Sequence, residues 1–134
     1  MARVLLIEDN PNNAEYIIRI LQGIGHQVDH YIMGVEGGLA ARKQVPDIIL
    51  VDFNLPDIDG SVLALTLRKS LVGKSTPIVA VTARNTNLDR LMAQKFGCDA
   101  FIGKPFEPEE LISVVEKLLA SSVPVNGEKD NDQE

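Results

Sequence analysis

The 134-residue chain has no tryptophan, a single cysteine, no excess of positive charge and no long apolar run. Each lack excludes something. Cys98 has no partner for an intramolecular disulfide, so the fold rests on its core, and a reducing compartment suits it. Thirteen Lys and Arg against nineteen Asp and Glu give a net charge of −6, the wrong sign for a nucleic-acid footprint. No stretch approaches the ~18 apolar residues that would read as a membrane span. The opening "MARVLLIEDN" reaches Glu8 and Asp9 too soon for a signal peptide. A cytoplasmic protein is expected, with neither membrane nor nucleic acid as partner.

What is present is enough apolar material, 45% of residues, for one domain with a real core. Four short apolar runs recur: "RVLLI" at 3–7, "DIILV" at 47–51, "PIVAV" at 77–81 and "AFIG" at 100–103. The middle two are continuous, as in parallel strands covered on both faces. "QVDHY" at 27–31 is a weaker, more polar candidate for an edge. Between them, Ala14, Ile17, Ile18 and Leu21 recur at helical spacing after a capping Asn10 and Pro11. Leu111, Val114, Val115 and Leu118 repeat that spacing. Segments 35–44, 61–71 and 87–96 are also expected to be helical, although Gly37 and Gly38 weaken the first by up to ~1 kcal/mol each. Strand and helix alternate five times, which implies a parallel sheet between two helical layers. The tail from 121 to 134 has no period, and its last seven residues carry four acidic groups against one lysine; disorder is expected there.

In such a sheet, ligands bind beyond the carboxyl ends of the strands. The first strand finishes in Glu8-Asp9, the third in Asp52 and the fourth in Thr82, while the fifth runs into Lys104-Pro105. Taken singly, each has a plain structural role: Asp9 and Asp52 as caps, Thr82 as a strand-end hydroxyl, Lys-Pro as a turn. Together they place three carboxylates, a hydroxyl and an ammonium on one edge. Packed carboxylates repel one another unless positive charge sits among them. Mg²⁺, which takes carboxylates, waters and phosphoryl oxygens, supplies it. An aspartate beside such an ion can serve as ligand, base or nucleophile, and aspartates form acyl phosphates.

The motifs "LLIEDNPNN", "DIILVDFNLPDIDG", "PIVAVTA", "GCDAFIGKPF" and "EELISVVEKLL", in this order and spacing, resemble the receiver domain of two-component response regulators of the single-domain, chemotaxis-receiver or DivK-like kind. The resemblance covers about residues 2–120 and implies a flavodoxin-like, doubly wound five-stranded parallel sheet of order 2-1-3-4-5 with five helices. It implies Asp52 as phosphoacceptor, fed by a phosphohistidine of a histidine kinase or histidine phosphotransfer protein. It implies Glu8, Asp9, Asp52 and the Asn54 backbone carbonyl around Mg²⁺, with Glu8 acting mostly through water. Thr82 and Lys104 become the phosphoryl-contacting pair, Phe101 the aromatic coupled to Thr82, and Asn54 and Arg84 the positions that tune the lifetime of the acyl phosphate. The Lys104–Pro105 bond is expected to be cis. Signalling would run through binding of a downstream output protein to the 84–119 face, with only weak autophosphorylation and autodephosphorylation; homodimerisation through the last strand and helix is left open.

Three rival readings are weaker. A small Mg²⁺-dependent aspartyl-phosphate phosphatase would place a second aspartate two residues after the first, where this chain has Asn54. A flavin or nucleotide binder needs a phosphate-cradling loop after the first strand, and "EDNPNN" is acidic instead. A receiver-like binding module that is never phosphorylated would fail to take up a phosphoryl group. Elsewhere, His26 and His30 are expected on a solvated edge, Cys98 as a small buried hydrophobe, and Met33, Phe53 and Phe106 as packing residues.

Overall fold

The computed structural model of the protein describes residues 1–71 and 75–122. The expected tail beyond 122 lies outside the described residues. Elements alternate as β1 (Arg3–Ile7), α1 (Pro11–Gly23), β2 (Gln27–Tyr31), α2 (Gly34–Lys43), β3 (Ile48–Val51), α3 (Gly60–Ser70), β4 (Ile78–Thr82), α4 (Asn87–Lys95), β5 (Ala100–Gly103) and α5 (Pro108–Ser122). The three helical segments read from the sequence end within one residue of these bounds, and α5 runs two residues past the expected boundary at 120. All strand pairs are parallel, in the order β2-β1-β3-β4-β5. This is the flavodoxin-like sheet.

The continuous apolar runs now have a reason. Side chains of a strand alternate between faces. Val4 and Leu6, Ile48 and Leu50, and Val79 and Val81 join one cluster with α1 and α5. Leu5 and Ile7, Ile49 and Val51, and Ile78 join another with α2 and α3. Each such Leu or Ile contributes about 1.5–3 kcal/mol by leaving water. Both faces are covered, so neither can be polar.

Helix starts and packing follow from local chemistry. Asn10 accepts the Asn13 N–H at 3.0 Å to open α1, with Pro11 first in the helix. In α2 the glycines that weaken the helix let it approach: a Cβ on Gly37 would press on Ile7, and one on Gly38 on Leu63. Its N-cap, Met33, offers no side-chain cap. Asp57, from the loop after β3, does so instead, accepting the Gly34 and Val35 N–H groups at 2.8 and 2.9 Å.

Two expectations need correction. Met33 does not pack but is 41% exposed, because it stands at the turn into α2. His26 is no solvated edge: it is 8% exposed, its Nδ1 accepting the Ala2 N–H and its Nε2 meeting Glu116, both at 3.0 Å. The α1–β2 turn is folded against α5. Among the described residues, no helix is long and apolar enough to cross a membrane.

Candidate functional site

Sheet order reverses at β1, which has β2 on one side and β3 on the other. Beyond the carboxyl ends of β1 and β3 lies the crevice that such a reversal opens. Register places the site residues there. Ile7 pairs with Val51, and the Asp52 N–H reaches the Ile7 carbonyl at 3.0 Å, so Glu8 and Asp52 leave their strands side by side. On the other flank Thr82 pairs with Gly103, and the Lys104 N–H donates to the Thr82 carbonyl at 3.0 Å. The turn that follows has a cis Lys104–Pro105 bond.

Glu8 and Asp52 are 1% and 5% exposed, depths at which a carboxylate needs partners. The Lys104 ammonium supplies them, at 2.6 Å from Glu8 Oε1 and 2.9 Å from Asp52 Oδ2. Backbone completes the set: the Asn10 N–H donates to Glu8 Oε2 at 3.1 Å and the Asn54 N–H to Asp52 Oδ1 at 3.0 Å. Burial pushes the Glu8 carboxyl above its ordinary value, outweighing the hydrogen bond from Lys104. Burial alone would pull Lys104 down, but its bonds to Glu8 and Asp52 win and raise it. Lys104 is therefore a firm cation.

Asp9 is exposed, and among the described residues its carboxylate makes no hydrogen bond or ion pair. Glu8, Asp9 and Asp52 can each offer an oxygen with all three lying within 4.8 Å of one another. Three carboxylates against one ammonium leave two negative charges in a pocket that offers only oxygen donors. That set fits a hard divalent cation.

The residues around this core are placed as follows. Thr82 is fully buried, and its Oγ1 accepts the Arg84 N–H at 3.2 Å. Phe101 is half-buried, edge-on to buried Phe53 at 6.3 Å, with the Arg90 guanidinium 4.6 Å from its ring centre. Arg84 pairs with Asp59 at 3.1 Å, more loosely with Asp89 at 3.8 Å, and lies 5.5 Å from the Phe53 ring. Asn54 bridges to Asp59 across the loop after β3. Cys98 packs half-buried, its thiol pushed up to about 12 by burial and by Asp99, which leaves it unreactive.

Sequence reasoning missed three contributors. Asp59 caps α3 by accepting the Ser61 N–H at 2.8 Å, and "DGS" carried that signal. Asp57 and His30 act across gaps of 22 residues or more, and local pattern carries no trace of that. His30, expected on a solvated edge, instead contacts the Glu8 carbonyl at 2.7 Å.

A doubly wound sheet whose switch-point crevice gathers carboxylates around a half-buried lysine defines a class of phosphoryl-handling α/β proteins. The chain belongs to the response regulator receiver domain family, which matches residues 4–116. Receiver domains are the signalling switches of two-component systems rather than metabolic enzymes. The transcriptional regulatory protein CreB of Escherichia coli (strain K12) is 36% identical over 116 residues, 87% of this chain and 50% of CreB. Protein PilH of Pseudomonas aeruginosa is 28% identical over 120 residues, 90% of this chain and 99% of PilH. The chain thus spans about half the length of CreB, and 51% of the response regulator Rre1 of Synechocystis. Among solved structures, a CheY-like receiver domain protein from Methanospirillum hungatei superposes with a TM-score of 0.82 at 25% identity, covering 91% of this chain and 96% of that one. The receiver domain of the Pseudomonas aeruginosa sensor histidine kinase PA1611, solved with magnesium coordinated in its active-site cleft, superposes at 0.81 and 31% identity, covering 89% and 98%.

Proposed function

We propose that this chain is a stand-alone response regulator that takes a phosphoryl group from a phosphohistidine onto Asp52 and signals through altered protein–protein binding. The observation that carries the reading is the gathering of Glu8, Asp9 and Asp52 in the crevice, with Lys104 paired to Glu8 and Asp52. A carboxylate oxygen of Asp52 attacks phosphorus; the new P–O bond forms as the P–N bond breaks, and the electron pair stays on the imidazole nitrogen. Glu8, Asp9, Asp52 and the Asn54 carbonyl would hold Mg²⁺, as the oxygen-only donor set and the magnesium in the related PA1611 receiver domain support. When bound, the ion offsets charge on the incoming phosphoryl group. Lys104 stands ready to exchange its Asp52 contact for a phosphoryl oxygen, and Thr82 to donate its hydroxyl to another. Phe101 then follows Thr82 inward, and the 84–119 face changes. The donor is a histidine kinase or phosphotransfer protein, and the output a separate protein in the same cytoplasmic compartment, in keeping with a relative such as PilH that is matched almost end to end.

Incubation with acetyl phosphate and Mg²⁺ should add the mass of one phosphoryl group to the wild-type protein and none to Asp52→Asn. Uptake by the Asp52→Asn variant, or dependence on no divalent ion, defeats the assignment.

A further inference from the structure

The acidic site is held from one more direction, by a side chain outside the family motifs. In a parallel ladder a residue turns its N–H and its C=O toward the same neighbouring strand. Glu8 gives its N–H to the Tyr31 carbonyl of β2 at 3.0 Å, so its own carbonyl faces β2 as well. The continuing ladder would offer it the N–H of Met33. But β2 ends at Tyr31, and Met33 has already turned away as the N-cap of α2. His30 fills the gap: its Nε2 stands 2.7 Å from the Glu8 carbonyl oxygen. A carbonyl only accepts, so Nε2 is the donor whether the ring is neutral or charged.

That carbonyl belongs to the peptide joining Glu8 to Asp9. The Glu8 carboxylate is already fixed, by Lys104 on Oε1 and by the Asn10 N–H on Oε2. The Asp9 carboxylate has no such tether, and only its backbone can aim it. We propose that His30 is a positioning residue, locking the Glu8–Asp9 peptide plane so that the Asp9 carboxylate points at the divalent ion shared with Asp52. The inference rests on reading the crevice as a Mg²⁺ site. Groups that hydrogen-bond to metal ligands commonly govern affinity by about 10-fold or more. A bond to ligand backbone belongs at the lower end of that range.

The test is a Mg²⁺ titration of the full chain, followed by amide NMR shifts and by calorimetry, on wild type and three variants. His30→Phe keeps the ring and removes the donor; His30→Asn ends its amide near the Nδ1 position and falls short; His30→Gln places an amide N–H near Nε2. His30→Phe and His30→Asn should weaken Mg²⁺ binding on the order of 10-fold, and His30→Gln should recover most of it. Wild-type affinity in both His30→Phe and His30→Asn overturns the inference while leaving the metal site standing, as does a His30→Gln variant no better than His30→Phe. A wild-type protein that binds no Mg²⁺ overturns the reading of the site and this inference with it.

Discussion

At the scale of single residues, the site is surrounded by carboxylates spent on structure, and their chemistry can be separated from that of the crevice. Asp57 takes the two N–H groups that open α2, and the bonds from Val35 and Gly34 hold its carboxyl below the ordinary carboxylate value. A carboxyl depressed in the folded state stabilises above its unfolded value, near 3.8, and that contribution fades as pH falls through the folded value. Asp57→Asn should therefore lower the urea midpoint at pH 6, with the gap to wild type narrowing at pH 3; equal gaps at both pH values remove the capping role. Arg84 can be tested in the same spirit. Its guanidinium ties the loop before α4 to Asp59 in the loop before α3, over the Phe53 ring, with a side chain 36% exposed. So exposed a pair holds at most about 1 kcal/mol; the role we propose for it is to screen the acyl phosphate on Asp52 from water. Arg84→Ala should leave the melting temperature nearly unchanged and shorten the life of the phosphorylated form severalfold, followed by mass spectrometry after removal of donor; an unchanged lifetime refutes the covering role.

At the scale of elements, strands were legible because burial on both faces forces continuous apolar runs, and Val4–Ile7 with Ile48–Val51 are such runs. Helix ends were legible where the cap is local, as at Asn10 and Pro11. What local pattern could not carry were caps and contacts supplied from afar: Asp57 to α2, His26 to α5, His30 to the end of β1. The glycines show the same limit. Gly37 reads as a helix weakness and is in fact a close approach to Ile7. Gly60 is the sharper case, for a Cβ there would fall on the backbone of Asp52 and Phe53, while its N–H donates to the Phe53 carbonyl at 2.9 Å. The first turn of α3 is thus pressed against the backbone of Asp52, the proposed phosphoacceptor. Backbone cannot yield as a flexible side chain does, so Gly60→Ala should destabilise by at least the ~1–3 kcal/mol typical of overpacking. It should also slow phosphorylation of the fraction that remains folded. A stable Gly60→Ala with wild-type uptake would show that the loop before α3 adjusts freely.

At the scale of the whole molecule, the acidic edge was legible because strand ends in a parallel sheet share one side, and chain order alone brought Glu8, Asp9, Asp52, Thr82 and Lys104 to it. Which part of the molecule can respond was not, since that depends on how firmly each helix is held. α1 buries Ala14, Ile17 and Leu21, and α3 buries five residues, but α4 buries only Ala93 and leaves Leu88 and Leu91 65% and 48% exposed. Few buried contacts make a low local free energy of opening. α4 is also the helix that follows Thr82, and the Phe53–Phe101 pair with Ala80 and Ala93 forms the small cluster beneath it. In the proposed switch, a pull on Thr82 would reach the least anchored helix through the smallest of these clusters. Amide exchange in the unmodified protein should be faster in α4 than in α1 or α3. Addition of beryllofluoride with Mg²⁺ should then move NMR shifts most between residues 84 and 103, and little in α2. Truncating Phe101 to Ala should uncouple the two ends, leaving shifts at Asp52 and Thr82 while those in α4 shrink. Shifts confined to the crevice in the wild-type protein, or undiminished α4 shifts in Phe101→Ala, would mean that the signal leaves the site by another route.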